Sequence, residues 1–162
     1  MSPDFWKLME WWKSHPDCEV DFAVNSNLGQ KKQLLDALIE SSQNVKSFSI
    51  YTSCEAVGLQ AEYIRYGLEW DVWLKNMYRV NSEGNIKSVN VMMTINALCL
   101  FSITEFMDEM LKLKSKYGSQ AAVMSFNILR FPSFQSIVTL PSEIRMERAA
   151  HIEKWVGENW KD

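Results

Sequence analysis

The composition of the stretch Phe48-Ser49-Ile50-Tyr51-Thr52-Ser53-Cys54-Glu55 changes at its middle. Its first half has the pattern of a short β-strand, and its second half is a cluster of small polar side chains. Three other segments, residues 20–27, 89–96 and 122–127, repeat this arrangement, and a helical pattern follows each of the four. Short strands that alternate with helices predict βαβ units and an α/β fold with a parallel sheet.

The polar clusters at the strand ends are expected to lie together. In a parallel sheet every strand ends at the same edge, so the four clusters would form one polar rim. That rim is where α/β proteins bind ligands. The sequence therefore predicts the position of a binding site.

The helical patterns place the predicted elements in the order α-β-α-β-α-α-β-α-β-α. Ser2-Pro3-Asp4 is typical of a helix start, and Ser102-Ile103-Thr104-Glu105 has the spacing of a capping box. A helix at about residues 30–42 is expected to bury Leu34 with its apolar neighbours. We also expect a short extra strand at 134–140, before the last helix.

Two sheet arrangements satisfy this element order. Right-handed crossovers place consecutive helices on one face if the strands keep their sequence order, which leaves the opposite face bare. The strand order either reverses, as in a doubly wound sheet, or the chain is an arc of a larger barrel. An arc is expected to expose apolar side chains from inside it, those of Phe22, Ile50, Val91 and Phe126 or of their alternates.

Composition excludes several functional classes. A chain of 162 residues fits one domain, and its formal charge of -3 argues against a basic nucleic-acid surface. No apolar run approaches the roughly 20 residues of a membrane span. Three widely spaced cysteines predict neither a disulfide framework nor a local zinc site, so a reducing compartment such as the cytoplasm is expected. His15 and His151 stand alone, so no catalytic triad is indicated.

Several segments together resemble the radical S-adenosylmethionine (SAM) superfamily. Residues 48–58, followed by Ala61-Glu-Tyr-Ile-Arg-Tyr-Gly67, are similar to the fourth strand and loop of those enzymes, in the branch with a shortened auxiliary "twitch" domain. Residues 25–29, 94–98 and 126–141 are similar to the ends of its third, fifth and sixth strands. The resemblance implies four parallel strands of a partial (β/α) TIM-like barrel, with 1–162 as a single domain forming its second half.

The resemblance also implies a cofactor and a missing partner. Complete family enzymes reduce SAM with a [4Fe–4S] cluster and use the 5′-deoxyadenosyl radical to abstract hydrogen. The cluster-binding Cys-x3-Cys-x2-Cys loop and the first two strands do not occur in this sequence, and a cluster needs about three or four thiolates. We expect a SAM-contacting half that is inactive alone, with the N-terminal half of the barrel or a partner chain covering the bare face. The alternative is a cluster-free α/β module that binds a ligand or a protein.

The resemblance places SAM contacts at five positions. Ser53 and Glu55 stand where the family contacts the ribose, and either side chain can accept a hydrogen bond from a sugar hydroxyl. Arg65 corresponds to the arginine that binds the cofactor's carboxylate through two parallel bonds. Asn96 is expected to contact cofactor or substrate, and Leu129 to contact adenine.

Three of these positions also have a purely structural interpretation. Ser53 would satisfy a loop amide, Asn96 would stabilise a turn, and Arg65 would form a surface ion pair with Glu62 or Glu69.

Five further residues near the rim are expected to be structural. Asn25 and Asn27 suit a turn and a cap, Cys54 and Cys99 suit buried thiols, and Arg130 suits a solvated charge.

Overall fold

Helices and strands alternate along the chain, as the sequence predicts. The structure is a computed structural model that describes residues 2–159. Its elements are α1 (Pro3–Lys13), β1 (Asp21–Asn25), α2 (Lys32–Ser42), β2 (Ser47–Ser53), α3 (Gly58–Ile64), α4 (Trp70–Glu83), β3 (Ser88–Ile95), α5 (Ile103–Tyr117), β4 (Val123–Ile128) and α6 (Ser142–Asn159).

The four strands form one parallel sheet in the order β1-β2-β3-β4. Val24 pairs with Ile50, Ile50 with Val89, and Val91 with Met124. The strand order never reverses, so the doubly wound alternative is wrong. The sheet is an arc of a partial (β/α) barrel.

The hydrophobic core lies between the sheet and the helices. Phe48, Ile50 and Val91 project from the strands and are fully buried. Trp73 of α4 and Phe106 of α5 pack above them, with ring centroids 5.9 Å apart. Burying each side chain of this size contributes roughly 1.5–3 kcal/mol, so this layer is the main source of stability.

The helix-free face of the sheet is polar, which corrects the expectation of an apolar inner surface. Ser88 donates to Ser49 at 3.0 Å, and Asn90 donates to Ser88 at 2.9 Å. At the amino end of the sheet, Lys87 pairs with Asp21 at 2.8 Å. Water can solvate these groups, so the face needs no apolar cover.

The residues expected inside the arc lie on its outer side. Ile50 and Val91 contact the helices, and the Phe22 ring packs at a tilt against Trp12 of α1, with ring centroids 5.0 Å apart. Phe126 shares that side and is 56% exposed, because β4 is an edge strand with little above it. The alternation of apolar and polar side chains along the strands was predicted correctly. Which face of the sheet carries the apolar side chains was decided only by the packing of the helices.

Helix α6 docks on α5 through polar contacts and leaves β4 largely uncovered. Thr104 and His151 share a hydrogen bond of 2.9 Å, and Trp155 donates to Asp108 at 2.8 Å. No residue of α6 is fully buried. Within residues 2–159, no helix combines the length and apolar composition needed to cross a bilayer.

Three local predictions are wrong. The Ser102 hydroxyl accepts from the Val57 amide at 3.4 Å instead of capping α5, so the capping box does not form. Residues 134–140 form short 3-10 turns instead of a strand, and Leu34 is 46% exposed. The first helix does begin as predicted, with the Ser2 hydroxyl accepting from the Phe5 amide at 3.3 Å.

Candidate functional site

A cleft of about 330 Å³ opens at the carboxyl ends of β1 and β2. Small-molecule sites usually occupy roughly 300–1,000 Å³, so the cleft is large enough for one small ligand. It lies on the rim that the strand-end clusters predict. Its wall is formed by Asn25, Ser26, Asn27, Gly29, Tyr51, Ser53, Arg65, Tyr66, Gly67, Leu68 and Met92.

The loop after β1 forms one side of the cleft. The Ser26 amide donates to the Tyr51 carbonyl at 2.8 Å, which continues the β1–β2 pairing to the rim. The Asn27 side chain accepts from the Gly29 amide at 3.1 Å. Asn27 is therefore a turn residue, as expected, while Asn25 also lines the cleft.

A turn after α3 forms the opposite side. Gly67 has a φ of +79°, a conformation that glycine adopts far more easily than other residues. The Leu68 amide donates to the Arg65 carbonyl at 3.0 Å and closes the turn. This reversal places Arg65 and Tyr66 in the cleft wall.

Arg65 and Glu55 form an ion pair behind this wall. Arg65 donates to Glu55 Oε2 through Nε at 3.0 Å and through Nη2 at 2.5 Å. The Glu55 side chain is 3% exposed and that of Arg65 is 28% exposed. Charge-assisted bonds of this kind are among the stronger hydrogen bonds in proteins.

Burial dominates the electrostatics of this carboxyl group. It raises the pKa of Glu55 above the ordinary value, and the nearby Arg65 guanidinium opposes that rise only in part. The predicted surface pairs of Arg65 do not form, since Glu62 accepts instead from the Trp70 amide at 3.0 Å.

Asn96 is buried and engaged by its own loop. Its side-chain oxygen accepts from the amides of Leu98 at 3.0 Å and Cys99 at 3.1 Å. Its side-chain nitrogen donates to the Thr94 carbonyl at 3.1 Å. This geometry favours the turn interpretation of Asn96, because these bonds use the groups that a ligand would contact.

Leu129 and Arg130 lie farther along the rim, after β4. The Leu129 amide donates to the Ile95 carbonyl at 2.9 Å, and the residue is half-buried. Arg130 is exposed, as expected of a solvated charge. The structure thus places Ser53 and Arg65 in the cleft lining and pairs Glu55 with Arg65 behind it. Leu129 and Asn96 lie outside the cleft lining.

The sequence patterns did not indicate several of the cleft residues, among them Tyr51, Tyr66 and Met92. Strand alternation places Tyr51 on the face opposite Ile50, so its position could have been predicted. No sequence pattern predicts the position of Tyr66 in the cleft wall, because that position depends on the turn at Gly67.

The described residues do not fit an iron–sulfur cluster. Within residues 2–159, no group of three or more histidine, cysteine, aspartate or glutamate side chains could hold a metal ion. Cys18, Cys54 and Cys99 are free thiols. A cluster in a complete enzyme would need ligands from elsewhere.

The buried thiols are expected to be unreactive. Burial raises the pKa of Cys54 to about 12 and that of Cys99 to about 11. Since the thiolate is the reactive form, a thiol reagent at mildly basic pH should modify only the half-buried Cys18 quickly. Ellman's reagent with and without denaturant would measure this, and Cys18→Ser should remove the fast phase. Rapid native modification of Cys54 or Cys99 would contradict the prediction.

Comparison with known proteins was negative. No family model, curated protein or solved structure matches the chain. Assignment of function therefore depends on the cleft and on the residues around it.

Proposed function

We propose that this chain is the SAM-contacting half of a radical SAM barrel, with SAM bound in the cleft at the carboxyl ends of β1 and β2. One observation carries the proposal: Arg65 and Ser53 line the same rim cleft. The two residues were selected from the family resemblance alone. Their convergence at a ligand-sized cleft supports that selection.

The cleft residues suit the polar groups of SAM. Arg65 bonds to Glu55 through Nε and Nη2, and within residues 2–159 its Nη1 has no hydrogen-bond partner. A ligand carboxylate can therefore accept from the remaining donors of Arg65. Ser53 and Asn25 supply neutral hydrogen-bonding groups for the ribose hydroxyls, and Tyr51 supplies an aromatic surface.

The protein's contribution is binding and orientation of the cofactor. Bound SAM supplies the adenosyl group that family enzymes use in hydrogen abstraction. The ligands of the iron–sulfur cluster would come from an N-terminal half of the barrel or from a partner chain. That segment would contact the helix-free face of the sheet. Ser49 and Asn90 on that face offer hydrogen-bonding groups to such a partner. Free cysteines fit a cytoplasmic setting.

Calorimetry with SAM tests the proposal. The wild-type chain should bind, and Arg65→Ala should weaken binding about tenfold or more, because a hydrogen bond to a charged group contributes roughly 1.5–3 kcal/mol. Arg145→Ala, which removes an exposed arginine on α6, is the matched control and should bind like wild type.

Two results would count against this function. Absence of binding by the folded wild-type chain would overturn it. Equal binding by wild type and Arg65→Ala would remove Arg65 from the site.

A second candidate is a cluster-free module that binds a nucleoside or a protein. It is favoured by the lack of a metal-binding group within residues 2–159. This module would bind adenosine as well as SAM, and Arg65→Ala would leave both affinities unchanged. Calorimetry with adenosine therefore separates the two candidates.

A further inference from the structure

We infer that Glu55 is a positioning residue, which orients the Arg65 guanidinium toward a ligand in the cleft without contacting that ligand itself. This inference rests on the proposed function of the cleft. It differs from the ribose contact that the family resemblance implies for Glu55.

Burial separates Glu55 from the ligand. Its side chain is 3% exposed, and it is not part of the cleft lining, whereas Arg65 is. Within residues 2–159, both side-chain hydrogen bonds of Arg65 converge on Glu55 Oε2, at 3.0 Å from Nε and 2.5 Å from Nη2. A molecule in the cleft can therefore reach the arginine while the carboxylate stays behind it.

Arg65 needs such a restraint. It follows the seven-residue helix α3 and has an extended backbone, with φ of -119°. An arginine side chain carries about 2 kcal/mol of rotamer entropy, which a ligand would otherwise have to overcome. Within residues 2–159, Glu55 is its only side-chain acceptor, so this pair fixes the plane of the guanidinium.

Burial of Glu55 makes the restraint sensitive to acid. The titratable groups that face it are Arg65 and the thiols of Cys54 and Cys99. The thiols stay neutral through the neutral range, since the pKa of Cys54 is about 12 and that of Cys99 about 11. Burial raises the pKa of Glu55, so the carboxylate is protonated at a higher pH than an ordinary glutamate.

Protonation removes the charge that holds Arg65. Lowering the pH through the raised pKa of Glu55 should therefore release the guanidinium and weaken SAM binding. Raising the pH above that value should restore binding. Glu55→Gln carries no titratable group at this position, so its affinity should lose this acid-dependent component.

The test combines SAM calorimetry with NMR of the arginine Nε–Hε signals. At neutral pH, Glu55→Gln should bind SAM about tenfold more weakly than wild type, and Glu55→Asp should recover part of that loss. The Arg65 Nε–Hε signal, assigned with Arg65→Lys, should exchange with water slowly in wild type and faster in Glu55→Gln. Arg79, which donates through Nε to Glu83 at 2.8 Å, is the internal control and should not change.

Each outcome decides one of the two ideas. Wild-type affinity in Glu55→Gln, or an unchanged Arg65 signal, would overturn the positioning role and leave the proposed function standing. Failure of wild type to bind SAM would overturn the proposed function, while the NMR exchange rates would still test the restraint. If Glu55→Gln does not fold, the pH dependence of wild type and the affinity of Glu55→Asp decide.

Discussion

Trp73→Ala is expected to lower the free energy of unfolding by about 3–5 kcal/mol. The side chain is fully buried between the sheet and α5, with its ring 5.5 Å from Trp70 and 5.9 Å from Phe106. Its indole nitrogen donates to the Thr52 hydroxyl of β2 at 3.1 Å. Truncation leaves a cavity and removes the partner of a buried hydroxyl.

Such a loss is a large part of the roughly 5–15 kcal/mol that stabilises an ordinary domain. Equilibrium unfolding in urea would measure it, with circular dichroism as the readout. Trp11→Ala is the matched control, because Trp11 is 44% exposed and should lose no more than about 1 kcal/mol. Similar losses for the two variants would show that burial of Trp73 is not a main source of the stability of the core.

Asn96→Ala is expected to cost about 2–4 kcal/mol of stability. The substitution removes the acceptor of two backbone amides, those of Leu98 and Cys99, and the donor to the Thr94 carbonyl. Asn96 is buried, so water cannot freely replace these bonds. The loop that joins β3 to α5 should loosen as a result.

The exposed Asn127 is the matched control, and Asn127→Ala should change stability by less than about 0.5 kcal/mol. Urea unfolding again gives the comparison. SAM affinity, measured where Asn96→Ala is still folded, separates the two interpretations of this residue. A fall in affinity without a fall in stability would favour the cofactor contact over the turn.

Local sequence patterns predicted the elements well. The run from Phe48 to Tyr51 lies in β2, and the strand-end clusters lie at one edge of the sheet. Ser2 caps α1 as its sequence context indicates. These predictions succeed because alternation and helix starts depend on residues close together in the chain.

Predictions that depended on distant partners were less reliable. Ser102 matched a capping box, yet its hydroxyl accepts from Val57, 45 residues away in the chain. Arg65 was expected near Glu62 or Glu69 if it served a structural role, and it pairs instead with Glu55. In each case several partners had suitable chemistry, and only their positions in space distinguished them.

By itself, the sequence determined an α/β chain with parallel strands and a polar rim at their carboxyl ends, since alternation, capping and crossover handedness are local or topological rules. The tertiary structure decided that the strand order stays sequential, that the helix-free face is polar, and that Glu55 is buried beneath Arg65. Burial is a property of the surroundings, because water is excluded only when segments distant in the chain pack together. The raised pKa of Glu55 follows from that exclusion.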